Sequence, residues 1–171
     1  YIFGVMCGDG CLIKSMARLE IAKDEEFIRE FVNCFEKVYG LKYKYFYYKP
    51  KNTFVAQISS MIIAEDLIKF SSFKTKTWTV PKIIMDSKDE KIIGAFLRGF
   101  YDSEGSASRC AITASSINKK GLKEVAILLE KLGIKTTFKP QQNGNYYTLS
   151  IFRKQRFSIF IASWNGDIIY G

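Results

Sequence analysis

Apolar residues recur at helical spacing in two separate segments of the chain, residues 24–38 and residues 119–132. A glycine closes each segment, Gly40 in the first and Gly133 in the second, which is a typical helix stop. The pattern predicts two amphipathic helices, each with one apolar face to bury. Similar helices in the two halves of the chain indicate an internal repeat.

Alternating apolar and polar residues around these helices predict strands that also come in pairs. Each half is expected to carry a strand region before its helix, a hairpin after it and a closing helix. The matched segments are residues 12–21 and 107–113 for the first strands, 42–49 with 53–60 and 135–139 with 146–152 for the hairpins, and 62–70 and 156–163 for the closing helices.

The predicted fold class is α/β of the α+β kind, in which an αββαββα order is used twice about an approximate two-fold axis. We expect an N-terminal half at residues 1–80 and a C-terminal half at residues 91–171. Residues 81–90, which begin with Pro81, are expected to link them.

A short motif at the start of each half repeats at an offset of 95 residues. The two copies are Gly4-Val5-Met6-Cys7-Gly8-Asp9-Gly10 and Gly99-Phe100-Tyr101-Asp102-Ser103-Glu104-Gly105. Each copy has small residues one helical turn apart, and such residues let two helices pack with their backbones close together. We therefore expect the two copies to form a packed helix pair.

Each copy ends with an acid and a glycine, Asp9-Gly10 and Glu104-Gly105. A carboxylate at a helix C-terminus opposes the helix dipole by about 0.3–1 kcal/mol, and the glycine is expected to be the C-cap. If the helices pack, the two carboxylates converge beside helix-end carbonyls, a setting that binds hard divalent cations such as Mg²⁺. The alternative is that both pairs are ordinary turn signals in a structural repeat.

Charge and composition narrow the chemistry. The chain has 171 residues, a net charge of +9, a pI near 9.3 and no histidine. The charge divides into +4 for residues 1–85 and +5 for residues 86–171, which predicts a polyanion-binding surface shared by both halves, although many basic proteins bind no polyanion. The missing histidine excludes His-based triads and His-ligated zinc or haem.

The four cysteines contain no C-x-x-C pair and are expected to be buried thiols in a reducing compartment. No apolar run approaches the roughly 20 residues of a membrane span, and the apolar opening segment lacks the basic leader of a signal peptide. These features predict a soluble, intracellular protein of cytoplasmic location with no membrane partner.

The two motif copies resemble the LAGLIDADG motif of homing endonucleases, in a single chain that carries both copies. Residues 2–10 are similar to a diverged first copy and residues 97–105 to a closer second one. Cys7 stands where the motif has its first Asp, a position that Asp102 retains. The length and the Gly-Asp-Gly and Ser-Glu-Gly endings are similar to those of compact archaeal intron-encoded members, and the chain begins inside the first motif helix.

The resemblance implies a saddle of two antiparallel sheets on double-stranded DNA, with the motif helices packed at its centre. It implies Asp9 and Glu104 as catalytic metal ligands, with the backbone carbonyls of Gly8 and Ser103 as further ligands. Two or three Mg²⁺ ions would then serve hydrolysis of one phosphodiester per strand of a long asymmetric site. We expect Mn²⁺ to substitute, Ca²⁺ to support binding without cleavage, and the chain to act as a monomer with an internal pseudo-dimer.

Strand alternation supplies candidate DNA-contacting side chains, each with the alternative of being a solvated sheet face. They are Lys14, Arg18, Glu20, Lys42, Lys44, Gln57, Ser59, Arg109, Thr113, Lys135, Lys139, Tyr147 and Arg153. In the first strand Ile13, Leu19 and Ile21 are expected on the opposite face. Candidates for polarising solvent near the metal are Lys23, Lys120, Arg153 and Lys154, with phosphate contact as the alternative role.

Three other functions compete with a nuclease. The first is an RNA maturase or DNA-binding regulator that kept the fold without cleavage, against which the Asp9 and Glu104 pair counts. The second is an intein endonuclease domain, which the absence of histidine disfavours. The third is an unrelated basic α/β protein whose repeat is only structural.

Overall fold

Two copies of one layered unit follow each other along the chain. The computed structural model describes residues 1–13, 15–22, 24–141 and 144–152. The first copy comprises α1 (Ile2–Cys7), β1 (Gly10–Ile13), β2 (Met16–Ala22), α2 (Glu25–Tyr39), β3 (Tyr45–Tyr48), β4 (Thr53–Ser59) and α3 (Met61–Ile68). A 3-10 turn at Lys49–Lys51 joins β3 to β4, and Pro50 lies within it.

The second copy follows a short helix, α4 (Lys82–Met85). It comprises α5 (Glu90–Glu104), β5 (Gly105–Ala107), β6 (Ala111–Ser116), α6 (Lys119–Lys131), β7 (Thr137–Pro140) and β8 (Tyr147–Phe152). The closing helix expected at residues 156–163 lies outside the described residues.

Each copy forms a four-stranded antiparallel sheet with the same strand order. Sheet A runs β1-β2-β4-β3 and sheet B runs β5-β6-β8-β7. The registers also match, because Gly10 pairs with Leu19 in sheet A as Gly105 pairs with Ala114 in sheet B. The predicted repeat and the α+β fold class are confirmed at the level of strand pairing.

Each half begins with a hairpin of two strands before its amphipathic helix, as the αββαββα order predicts, but the reversals fall within the predicted strand regions. Residues 12–21 divide into β1 and β2, and residues 107–113 span the turn between β5 and β6. Ile13 therefore pairs with Met16 and is 48% exposed, although alternation in one continuous strand placed it on the apolar face. Leu19 and Ile21 are buried as expected.

Helices cover one face of each sheet. In α2, the Asp24 side chain caps the first turn by accepting from the Phe27 N–H at 2.9 Å, and Gly40 ends the helix with a left-handed φ of 68°. The apolar face of α2 packs on sheet A, as does α3, while α6 packs on sheet B. In the part of the chain that the structure describes, no helix covers the opposite face of either sheet.

The segment that joins the halves packs into the core. Phe73, Trp78 and Val80 are buried, and the Trp78 carbonyl accepts from Asn118 Nδ2 at 2.6 Å. The Val80 N–H donates to Glu124 Oε2 at 2.8 Å. Residues 71–80 thus tie the first half to α6 of the second, while the expected linker, residues 81–90, contains α4.

None of the helices among the described residues combines the length and the apolar character that crossing a membrane requires.

Candidate active site between the two halves

The motif helices α1 and α5 pack with their backbones in contact. A Cβ built on Gly4 would overlap the Phe96 carbonyl oxygen and lie 2.7 Å from the Phe100 nitrogen. On the opposite helix, a Cβ on Gly99 would overlap the Tyr1 carbonyl oxygen. The small residues of the repeated motif are therefore what allows the two halves to meet, as the sequence predicted.

A second small pair lies nearer the helix ends and brings the acidic residues close. A Cβ on Gly8 would overlap Ser103 Oγ and lie 2.9 Å from Glu104 Cγ. The Ser103 hydroxyl turns back into its own helix, where it donates to the Phe100 carbonyl at 3.0 Å. The absence of a side chain on Gly8 leaves the space that Ser103 and Glu104 occupy.

The two motif segments end differently from the prediction and from each other. Helix α1 stops at Cys7, so Gly8 is its C-cap, Asp9 lies in a turn and Gly10 begins β1. The expectation that Gly10 caps the helix is therefore wrong. Gly105 does cap α5, with φ −78° and ψ 142°, an extended conformation that leads the chain directly into β5.

Asp9 and Glu104 interact electrostatically. Burial and the Asp9 charge together raise the pKa of the Glu104 carboxyl to about 7. Surrounding protein atoms also raise the pKa of the Asp9 carboxyl, although the residue as a whole is exposed. Among the described residues, no Lys or Arg forms an ion pair with either carboxylate.

The donor set fits a hard divalent cation. Two adjacent carboxylates that repel each other gain from a cation between them, and Mg²⁺ takes one or two protein carboxylates while water and phosphate fill its remaining positions. The described residues contain no group of three or more His, Cys, Asp or Glu side chains with metal-binding geometry. The described side chains therefore form no site that surrounds a metal with three or more such ligands. The carboxylate pair is the candidate metal site that remains among them.

Both carboxylates adjoin sheet edges. Asp9 immediately precedes β1 and Glu104 immediately precedes β5, and each of these strands is the edge of its sheet. The free faces of the two sheets therefore extend to either side of the carboxylate pair. This arrangement gives one acidic centre flanked by two helix-free surfaces.

Several predicted DNA contacts do lie on these free faces. In sheet A, Arg18 and Glu20 alternate with buried Ala17 and Leu19, and Gln57 and Ser59 alternate with buried Ala56 and Ile58. In sheet B, Thr113 and Lys139 lie on the corresponding face, since they pair with Ser150 and Thr148.

Other predicted contacts lie elsewhere. Tyr147 is on the helix-covered side of sheet B, where it stacks on Phe138 at 5.5 Å and lies under Lys119 Nζ at 5.2 Å, so the face predicted for it is wrong. The other basic residues that the sequence nominated, where the structure describes them, are exposed and lie outside the strands. They are Lys42 and Lys44 before β3, Arg109 in the β5–β6 turn, Lys135 before β7, and Lys120 in the first turn of α6. Lys14, Lys23, Arg153 and Lys154 lie outside the described residues.

Comparison with known proteins agrees with this geometry. Residues 91–165 match the family model of the LAGLIDADG-like domain. The fold matches the homing endonuclease I-DmoI, in a crystal structure with DNA and Mn, with a TM-score of 0.67 and 18% identity over 98% of this chain and 96% of that one. The chain is a two-motif protein of the LAGLIDADG fold.

Two further proteins are similar to this chain, one in structure and one in sequence. The N-terminal LAGLIDADG domain of DUF199/WhiA matches with a TM-score of 0.64 and 12% identity, over 98% of this chain and 86% of that one. The uncharacterized protein MJ0314 of Methanocaldococcus jannaschii is 31% identical over 170 residues, which cover 85% of this chain and 58% of that protein. The chain thus spans little more than half the length of this curated relative.

The LAGLIDADG position that differs between the two motifs has different surroundings in each half. Asp102 lies 3.6 Å from Arg98 Nε, and Arg98 Nη2 reaches Glu30 of α2 at 3.7 Å. The Arg98 guanidinium also lies over the Tyr1 ring at 5.1 Å. Sequence analysis missed this network, although the four-residue spacing of Arg98 and Asp102 on one helix is a signal for it.

Cys7, the counterpart of Asp102, is fully enclosed. Its thiol lies 3.7 Å from the Thr79 carbonyl, and burial together with the nearby Glu124 charge raises the pKa of the thiol far above its usual range. Of the four cysteines, which are all free thiols, Cys7 is buried, Cys34 is half-buried, and Cys11 and Cys110 are exposed. The expectation of buried thiols therefore holds for Cys7 and is wrong for Cys11 and Cys110.

Proposed function

We propose that this protein is a site-specific, divalent-metal-dependent DNA endonuclease that hydrolyses one phosphodiester in each strand. The observation that carries the proposal is the Asp9 and Glu104 pair, placed by the Gly8 and Ser103 contact between two helix-free sheet faces. The net charge of +9, shared by both halves, favours a polyanion on those faces. The likeness to I-DmoI, which was solved with DNA and Mn, supports the same reading.

The chain's own residues would determine where the phosphodiester is hydrolysed. Asp9 and Glu104 would hold the cation, with the main-chain carbonyls of Gly8 and Ser103 as further ligands. When bound, a divalent cation polarises a phosphate oxygen and lowers the pKa of its water. The glycines let the two helix backbones pack closely, which brings the motif ends and their carboxylates together.

The sheets supply the affinity. Exposed lysines and arginines contact phosphates without reading sequence, while strand side chains on the free faces reach base edges in the major groove. We expect one chain to cover the whole site as a monomer, since its two halves already provide two such sheets. The carboxylate pair then lies between the two half-sites.

Cleavage of a DNA library tests this function. The full chain is incubated with random-sequence duplexes in Mg²⁺, and the cut ends are sequenced. We expect discrete double-strand breaks that share a sequence, with Mn²⁺ replacing Mg²⁺ and Ca²⁺ supporting binding alone. Asp9→Asn and Glu104→Gln should each reduce cleavage by about 100-fold or more, because the cation contributes several kcal/mol of charge stabilisation.

The matched control is Glu130→Gln, which removes an exposed carboxylate of α6 away from the pair. It should cut as the wild type does, and all three variants should still bind DNA in Ca²⁺. Cleavage that survives both Asp9→Asn and Glu104→Gln would refute the metal-site assignment.

The second candidate function is a binding module with the same fold, which the likeness to the WhiA domain favours. Sequence-selective DNA binding without cleavage under Mg²⁺ or Mn²⁺ would support a regulator. Binding to structured intron RNA without DNA cleavage would support a maturase.

A further inference from the structure

The two sheets can be compared position by position because their registers coincide. Leu19 lies between Gly10 and Ala56 in sheet A, and Ala114 lies between Gly105 and Leu149 in sheet B. The inner strands β2 and β6 therefore match at an offset of 95, and β4 and β8 match at an offset of 93. The free-face side chains at the paired positions of β2 and β4 therefore have counterparts on β6 and β8.

The counterparts differ in chemistry at the centre of each face. Sheet A carries Arg18 and Glu20 on β2 and Gln57 on β4. Their matched residues in sheet B are Thr113, Ser115 and Ser150, respectively. Among the described residues, β5, β6 and β8 themselves present no charged or amide side chain on the free face. Lys139 of the edge strand β7 does lie on that face, and the amide of Gln141, just beyond β7, is engaged by Ser115 and Thr148.

Arg18 is held in place by an acidic neighbour on its own strand. Its Nη2 donates to Glu20 Oε1, and Lys51 Nζ approaches the other oxygen of Glu20 at 3.4 Å. The Arg18 Nε is buried without a hydrogen-bond partner among the described residues. Arg18 pairs across the strands with Gln57, whose Nε2 donates to Ser59 Oγ at 3.3 Å.

The hydroxyls of sheet B, by contrast, satisfy one another. Ser115 and Thr148 share a hydrogen bond of 3.0 Å, and Gln141 Nε2 donates to Thr148 at 3.0 Å. Thr113 Oγ1 donates to the Ser106 carbonyl at 3.4 Å. A hydroxyl accepts or donates equally well and discriminates little between bases, whereas Arg pairs bidentately with guanine and Gln with adenine.

We propose that base identity is read mainly by sheet A, with Arg18 and Gln57 as specificity-determining residues, and that the half-site under sheet B tolerates substitution. This inference rests on the proposed function, since it assigns the readout within that DNA site. Sheet B then contributes affinity through shape and phosphate contacts, which carry little sequence information.

The test is a substitution profile of the DNA site. A duplex is selected from a random library with the full chain in Ca²⁺, and every single-base-pair change is then measured for binding. We expect one half-site in which changes cost about 5- to 150-fold in affinity and another in which they cost less than about 3-fold. Wild-type cleavage of the selected duplex in Mg²⁺ is measured in parallel.

Matched variants assign the halves to the sheets. Arg18→Ala and Gln57→Ala should flatten the profile at particular base pairs of the stringent half-site. The sheet B variants Ser115→Ala and Ser150→Ala, at the positions matched to Glu20 and Gln57, should leave the profile unchanged. Arg18→Lys keeps the charge but loses the planar fork, so it should relax specificity at the same base pairs while the salt dependence of binding stays as in the wild type. Circular dichroism and melting temperature confirm that each variant is folded.

Two results would overturn this inference while the proposed function stands. One is a profile equally stringent in both half-sites, or flattened as much by Ser150→Ala as by its counterpart Gln57→Ala. The other is a uniform loss of affinity in Arg18→Ala at all sequences, which would make Arg18 a phosphate contact. If no duplex is selectively bound or cut, the proposed function itself fails and this inference fails with it.

Discussion

The two motif segments share the small residues and the acid at the contact between the halves, and they differ at the residue two positions before the acid. In both, small residues line the contact between α1 and α5, and an acid follows at the end of the motif. The residue two positions before each acid is Asp102 in an ion-pair network on one side and Cys7, enclosed beside the Thr79 carbonyl, on the other. The close helix contact and an acid thus occur in both copies, whereas the residue two positions before the acid differs together with its local partners.

The largest expected loss of stability comes from breaking the contact between α1 and α5 that both motifs share. Gly4→Ala places a Cβ onto the Phe96 carbonyl oxygen, and a backbone oxygen cannot move aside as a side chain can. We expect a loss of about 3 kcal/mol in the free energy of unfolding, or failure to fold, because overpacking a rigid contact is costly. For a chain of this size, this loss corresponds to a melting temperature lower by about 6–12 °C.

Gly94→Ala is the matched control, since Gly94 is also a helical glycine of α5 but has no neighbouring atom within 4 Å of an added Cβ. It should stabilise the protein by up to about 1 kcal/mol through helix propensity. Equal melting temperatures for the two variants would contradict the close contact of α1 with α5.

The second-largest expected loss of stability concerns position 7, where the two motifs differ. Cys7→Asp restores the acid that the first motif lacks, yet we expect it to destabilise the protein by about 2 kcal/mol. The Cys7 side chain is 1% exposed and faces the Thr79 carbonyl, with the Glu124 charge nearby, so a carboxylate there is buried among acceptors.

Chemical denaturation at pH 7 measures the effect of Cys7→Asp, with Cys7→Ala as the variant that removes the thiol without adding charge. Cys7→Ala should cost less than Cys7→Asp. If Cys7→Asp were as stable as the wild type, the idea that this position follows its local partners would fail.

The internal repeat was predictable because it depends on local pattern. The small-residue spacing of Gly4 and Gly8 and the acid after it specify a helix contact and a carboxylate without reference to the rest of the chain. Alternation likewise placed Arg18 and Glu20 opposite Leu19, since side chains in a strand point alternately to its two faces.

What alternation could not provide is where a strand reverses and which face meets a helix. The β1–β2 hairpin, in which Ile13 pairs with Met16, has no glycine, asparagine or proline between these residues to mark the reversal, so Ile13 was assigned to the wrong side. Tyr147 has an apolar ring and a polar hydroxyl and suits either face, and its stacking on Phe138 decides the matter. The Arg98 network joins α5 to α2 across the two halves, which no local pattern encodes.

The smallest expected effect concerns the carboxylate pair, where the two motifs act together. Because the folded-state pKa of Glu104 is about 7 and lies above its ordinary value of 4.5, the folded protein holds this proton more tightly than the unfolded chain does. The free energy of unfolding of the metal-free wild type should therefore fall as pH rises from about 4.5 to about 7 and then level off. Glu104→Gln cannot lose a proton, so it should be more stable than the wild type by about 1–2 kcal/mol at pH 8 and equal to it at pH 4, when measured by denaturation in EDTA.

Asp9→Asn distinguishes the two causes of the raised pKa. Burial is the larger cause and the Asp9 charge the smaller, so Asp9→Asn should reduce the pH-dependent loss of stability without abolishing it. Addition of Mg²⁺ at pH 8 should raise the melting temperature of the wild type more than that of either variant, because only the wild type offers both carboxylates. If the free energy of unfolding of Glu104→Gln varied with pH in parallel with that of the wild type, the two acids would not share one site. The two motif ends would then differ only in their local structure.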